Sequence, residues 1–246
     1  MAQLPEIFPY LLAVFGLTLL WKLHDMLVKA GRIQSRDFWE RSGVRLFLRV
    51  TPNDAQACTA CRETTSMVFS PAVVTSKKFS PQEIPCINPS RCRCLMVGLY
   101  GGWPAAAAVL SRLKKEGGTL RLSDEELKEL IDGSAEARAG ASADQVSLRL
   151  VHAMRAEGKD PATALEHYRY IVDCAKADRD LQFVFPSVLR LSELLERTGQ
   201  PDEAIDWIEH YLLEYGGKKK GPAAPTEAQR AALKTRQSLL AAKVRK

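Results

Sequence analysis

The chain has 246 residues, 46% of them hydrophobic, which is enough to bury a core for one ordinary domain or two small ones. Its net charge of +6 is not that of a folded basic binding face. Nine Lys and Arg against Glu227 give residues 216–246 a charge of +8, which leaves −2 for everything before them.

The first predicted element is an apolar helix over 4–23. Its only charges, Glu6 and Lys22, lie near its ends. About 20 helical residues span about 30 Å, the thickness of a bilayer's hydrocarbon core. Pro5 and Pro9 fall in the first turns, where a missing N–H matters little. Trp21 beside Lys22 fits the headgroup level. A charged leader segment and a small-x-small cleavage site are both missing, which weakens the competing signal-peptide reading; a buried core helix is the other alternative. Lys22, Lys29, Arg32 and Arg36 all follow the run and no Lys or Arg precedes it. The positive-inside bias therefore predicts a single-pass inner or plasma membrane protein, with residues 1–24 as anchor, 25–43 juxtamembrane, and the remainder cytoplasmic.

A small β-rich module is predicted over 44–100. "VRLFLRVT", "SMVF" and "LMVGLY" read as strands from their β-branched and aromatic content. Between them lie Cys58-x2-Cys61 and, after 24 intervening residues, Cys86-x5-Cys92-x-Cys94. In a reducing compartment, clustered thiols hold metal or do redox work more often than they form disulfides. A two-residue gap lets Cys58 and Cys61 converge on one ion, and a second close pair completes a tetrahedron. The expected site is zinc held by four of Cys58, Cys61, Cys86, Cys92 and Cys94. Arg62, Arg91 and Arg93 flank these sulfurs and offset the charge of a tetrathiolate. An iron–sulfur centre, disulfides and a redox dithiol remain as alternatives.

The stretch "NDAQACTACRETTSMVFS…IPCINPSRCRC" resembles the cysteine motif of minor head proteins of Mu-like phages, in which a C-x2-C is followed by a strand and a proline-rich turn ending in Cys-Arg-Cys. The resemblance covers about residues 53 to 95 and rests on Cys58, Cys61, Phe69, Pro85, Cys92, Arg93 and Cys94. It implies a shared knuckle.

Beyond "GLYGGWP" the apolar spacing lengthens toward 3.6 and helices are expected. The glycines Gly98, Gly101 and Gly102 lack a following phosphate-loop signature and read as a turn. A helical pair is predicted over 104–133, its second helix opened by the capping box Ser123 and Glu126. The carboxylates Asp124, Glu125, Glu126 and Glu129 gather at that helix's start, where they complement its dipole. Residues 134–143 read as a linker.

Amphipathic helices then run over 144–215. Two segments share a turn followed by Ala164 or Ala204 and then aromatics. With "FPSVLRLSELLERT" before it, the second resembles a tetratricopeptide repeat, carried by Leu191, Leu195, Gly199, Ala204 and Ile205. The resemblance implies a stacked helical array that offers a groove to a partner. Ala164 and Ala204 are 40 residues apart, against about 34 in that family. Cys174 is expected in the core of this array. Residues 216–246 form a basic linker and a tail helix capped by Thr226, open to nucleic acid or anionic lipid.

No nucleophile–base–orienter set or cofactor fingerprint is recognisable. The expected fold is mainly α with a small β-rich cysteine module. The expected function is that of a membrane-anchored interaction scaffold with a structural zinc. A membrane-bound redox or electron-transfer protein using the same cysteines is the alternative.

Overall fold

The computed structural model describes residues 14, 16–27, 37, 39, 41–53, 57–76, 79, 94–136, 144–217 and 223–245, with 131–136 and 178–179 by backbone alone. It is mainly helical, with one small antiparallel sheet.

The sheet contains β1 (Leu46–Val50), β2 (Met67–Phe69), β3 (Leu95–Leu99) and β4 (Thr119–Arg121), in the order β3-β1-β2-β4. Leu48 pairs with Val97 on one side and Val68 on the other, and Val68 pairs with Leu120. The two-residue period puts these four on one face, which joins the main core. The other face carries Phe47 opposite Phe69. Trp39 meets Phe47 edge-on and Phe79 meets Phe69, each with centroids 5.2 Å apart. Central β1 is thus buried along its whole length.

Short helices α1 (Thr59–Glu63) and α2 (Pro71–Val74) flank β2, and α3 (Ala106–Lys115) precedes β4. Gly117 and Gly118, at φ +74° and +91°, turn the chain from α3 into β4. A Cβ on Gly118 would stand 2.5 Å from Ser70 Oγ, so this close approach requires glycine. The segment expected as a helical pair, 104–133, therefore also supplies the fourth strand, and the sheet extends past the expected boundary at residue 100. Helix α4 (Asp124–Glu136) opens with the predicted reciprocal cap: Ser123 N–H donates to Glu126 at 2.8 Å and Glu126 N–H to Ser123 Oγ at 3.1 Å.

The rest is a helical array: α5 (Gln145–Ala156), α6 (Pro161–Cys174), the single turn α7 (Asp178–Leu181), α8 (Val184–Arg197), α9 (Pro201–Tyr215) and α10 (Glu227–Val244). Helices α5 and α6 form one hairpin, and α8 and α9 another. Packing of α6 on α8 stacks the two hairpins, while α10 closes the stack on α9 and α5 rests on β1 and β3. Each hairpin's second helix begins at a proline, Pro161 or Pro201. Each then buries residues at i, i+4 and i+7: Ala164, Tyr168 and Ile171 in one, Ala204, Ile208 and Tyr211 in the other, all at 0% exposure. The small residue admits the neighbouring helix and the larger ones fill the seam. The excess over a 34-residue period falls in the connection 175–183, which contains α7.

Cys174 is exposed, contrary to the expected core position. The buried stripe of α6 runs through Ala164, Tyr168 and Ile171 to Ala175, and Cys174 lies off it.

Candidate thiol centre and helical surfaces

The cysteines meet at the end of β1 where the chain leaves the sheet. Cys58 is the N-cap of α1, and its sulfur accepts the Cys61 N–H at 3.3 Å. One turn later Cys61 points inward and is 2% exposed. Thr51, just beyond β1, donates its hydroxyl to the Cys61 carbonyl at 2.8 Å, and the same Oγ1 lies 3.3 Å from Cys94 Sγ. One threonine thus ties the first cysteine pair to the residue that leads into β3.

Arg49 is the residue that the sequence did not flag. It is 4% exposed, on the sheet face opposite the main core, beneath α1. Its Nη2 lies 3.9 Å from Cys61 Sγ, and its Nε has no hydrogen-bond partner. The signal available in sequence was its parity: Arg49 alternates with Leu48 and Val50, which reads as a solvated strand face. Tertiary packing of α1 reverses that reading.

Cys58, Cys61 and Cys94 are therefore brought to one end of the sheet, as thiols. Among the described residues, no three or more His, Cys, Asp or Glu side chains gather as they would around a metal ion. The remaining two candidate ligands, Cys86 and Cys92, and the flanking Arg91 and Arg93 lie outside the described residues. Arg62 sits in the last turn of α1.

The helical array holds a buried charge network that sequence reasoning also missed. Glu157, at the C-terminal end of α5, has a fully buried carboxylate. It accepts from Tyr168 Oη at 2.6 Å, Arg190 Nε at 2.9 Å and Arg197 Nη2 at 3.1 Å. Burial pushes the Tyr168 phenol well above its ordinary range, and the Glu157 charge adds to that. The network joins three helices from both hairpins, so it fixes how the hairpins stack.

Between α5 and α6, Arg149 lies 3.6 Å above the Tyr170 ring and 3.3 Å from His167 Nδ1, and the His152 ring is tilted against that of His167 with centroids 4.4 Å apart. An open cleft of about 510 Å³ lies beside the C-terminal ends of α6 and α9, lined by Asp173, Lys176, His210, Glu214 and Tyr215 among others. His210 Nε2 is 3.6 Å from Glu214 Oε2. Neither place combines a nucleophile with a base.

The tail helix α10 opens with a capping box between Thr226 and Gln229 and buries Leu233 and Leu240. Arg236 pairs with Glu196 at 2.8 Å, and Lys243 pairs with the same carboxylate. These cations hold Glu196 below the usual carboxylate range, with the Lys243 hydrogen bond the largest influence. Two of the tail's basic residues thus face the protein itself.

Toward the N-terminus, 16–27 is helical. Leu17, Leu19, Leu20, Trp21 and Leu23 are each 52–69% exposed. No described helix is long and apolar enough to cross a membrane, and residues 4–13 of the apolar run lie outside the described residues.

No protein family, curated protein or solved structure matches the chain.

Proposed function

We propose that the chain is a scaffold anchored in an inner or plasma membrane, with its array on the cytoplasmic side. The N-terminal helix sits in the bilayer, a cysteine knuckle carries a structural zinc, and a tetratricopeptide-like array binds a protein partner. The observation that carries this reading is the helix over 16–27. At 100° per residue its exposed leucines and Trp21 cover about 200° of the helix, with Thr18, Lys22 and Asp25 on the remaining side, and an exposed apolar face that broad is one that lipid would cover. No described segment covers it as a core would.

Support for the array comes from the two hairpins, with the same small-then-large burial in Ala164, Tyr168, Ile171 and Ala204, Ile208, Tyr211. Ion pairs to Glu196 engage Arg236 and Lys243 within the protein, which leaves the other basic residues of the tail for nucleic acid or anionic lipid. A fusion reporter at the C-terminus tests the orientation. Activity of a reporter that works only in the cytoplasm supports the reading, and activity of one that needs the exterior overturns it.

A redox protein is the second reading. It draws on Cys58 at the N-cap of α1 with Cys61 buried beneath it, the layout of a dithiol. Elemental analysis separates the two: zinc bound to a colourless chain supports the first, whereas a brown iron–sulfur chain, or a metal-free one whose Cys58 and Cys61 cycle reversibly between dithiol and disulfide, supports the second.

A further inference from the structure

We infer that the seam between α5 and α6 is an acid-sensitive latch, closed by a hydrogen bond from Arg149 to a neutral His167. The latch depends on neither the anchor nor the zinc. Gln145, Arg149 and His152 lie at i, i+4 and i+7 of α5, and His167 and Tyr170 at i and i+3 of α6, so each set shares one helix face. Gln145 Nε2 donates to Tyr170 Oη at 2.9 Å, and Arg149 lies 3.6 Å above that ring. The Arg149 Nη1 is then 3.3 Å from His167 Nδ1, and the His152 ring follows at 4.4 Å between centroids. A guanidinium has donors only and stays charged at any working pH. The contact is therefore a hydrogen bond only while Nδ1 keeps its lone pair, which makes His167 a neutral imidazole with its proton on Nε2.

A proton taken up at Nδ1 replaces that bond with two donors aimed at each other. It also sets two like charges side by side at a residue only 6% exposed, where little water screens them. His152 strengthens the response. It faces Asp160, the N-cap of α6, which gives its own charged form a counter-charge, and a charged His152 then joins Arg149 in opposing a charge on His167. Charges of the neighbouring elements are engaged elsewhere. Arg190 and Arg197 of α8 pair with Glu157, Glu193 pairs with Arg190, Arg169 of α6 pairs with Glu203 of α9, and the Asp144 carboxylate is held by the loop before α5. Folding thus weakens proton binding at His167. Its contribution to stability is complete above the ordinary histidine value, about 6.5, and is lost as pH falls below it. Because α5 rests on β1 and β3 while α6 stacks on α8, acid loosens the joint between the sheet and the array.

The test uses the full chain in detergent, followed by the histidine ring signals in nuclear magnetic resonance from about pH 8 to about pH 5. The His167 signal is the one that His167→Gln lacks. In the folded chain it should bind its proton at least about tenfold more weakly, a shift of about one pH unit, than in the same chain unfolded by urea. Arg149→Gln, which keeps a donor without the charge, should move the folded midpoint back up. Urea unfolding supplies the second readout. Glutamine at 167 accepts from Arg149 and does not titrate, so wild type should lose stability relative to His167→Gln as the pH falls from about 7 to about 5. A folded midpoint at or above the unfolded one, a midpoint that Arg149→Gln leaves in place, or a stability gap that stays constant with pH overturns the latch. If His167→Gln does not fold, the signal that moves in Arg149→Gln identifies His167, and the wild-type titration decides alone.

Discussion

The carboxylate of Asp144 accepts the backbone N–H of Gly102, 42 residues earlier in the chain, and also that of Tyr100. Gly101, at φ +87°, bends the loop so that successive N–H groups point inward. The loop "YGG" is thus an anion cradle, and its occupant is a side chain of the same protein. Through it the end of β3 is fastened to the start of α5, which couples the sheet to the helical array.

Asp144→Ala would remove the acceptor of the Tyr100 and Gly102 N–H groups in a partly exposed loop, at about 1–3 kcal/mol for a group that water does not reach. The expected loss of stability is therefore about 1–3 kcal/mol, measured by urea unfolding. Burial raises the Asp144 carboxyl above its ordinary value, although the loop N–H groups oppose this. The folded state thus holds the proton more tightly than the unfolded one. This group's contribution to stability falls as pH rises from the ordinary aspartate value, about 3.9, through the raised folded value. Asp144→Asn should remove that slope from a plot of stability against pH. An unchanged slope in the variant would contradict the assignment.

Ala204 is completely buried where α9 packs on α8. Ala204→Arg should destabilise the protein by more than about 2 kcal/mol, and Ala164→Arg, its counterpart in α6, by a similar amount. Cys174→Arg, at an exposed position of the same helix as Ala164, should stay within about 0.5 kcal/mol. Equal effects at Ala204 and Cys174 would mean that the hairpins do not stack in this way.

The Glu157 network has a different signature. Removing one partner of a buried pair strands the other, so Glu157→Ala should cost about 3–5 kcal/mol. The double variant Glu157→Met with Arg190→Met removes both buried charges and should recover most of that loss. Additive losses in this cycle would show that Glu157 and Arg190 do not act as a pair.

If the proposed zinc is bound, Cys58→Ala should release it, and the change also leaves the Cys61 N–H at the start of α1 without its sulfur acceptor. Amide hydrogen exchange should then speed up over 57–66 while α8 and α9 stay protected, because the second hairpin is buried independently of α1. Faster exchange in α8 and α9 as well would show that the centre holds the whole fold.

The legible parts of this fold are those written in local chemistry. Ser123 with Glu126, and Thr226 with Gln229, are helix starts whose partners lie three residues apart. The strands of 44–51 and 95–100 carry enough β-branched and aromatic residues to declare themselves, and Ala204 stands in a recognisable turn-and-helix pattern. What stayed hidden depends on partners far along the chain. Strand β4 has three residues, Thr119, Leu120 and Arg121, and exists because β2 pairs with it. The glycine loop reads as a plain turn until Asp144 is placed within it. Arg49 alternates like a solvated residue and is buried by a helix that begins ten residues later. Glu157, Arg190 and Arg197 each pass for surface charges on amphipathic helices, and only stacking of the hairpins turns them into a buried cluster.

The anchored-scaffold reading is tested most directly by flotation of the full chain with vesicles of neutral phosphatidylcholine, which give the basic tail nothing to bind. Wild type should rise with the vesicles in a density gradient and remain there in high salt, since apolar insertion is not screened. A variant with Leu17, Leu20 and Leu23 changed to Asp should stay at the bottom while its array keeps the wild-type melting temperature. A wild-type chain that remains at the bottom, or a triple variant that floats as well as wild type, would contradict the anchor.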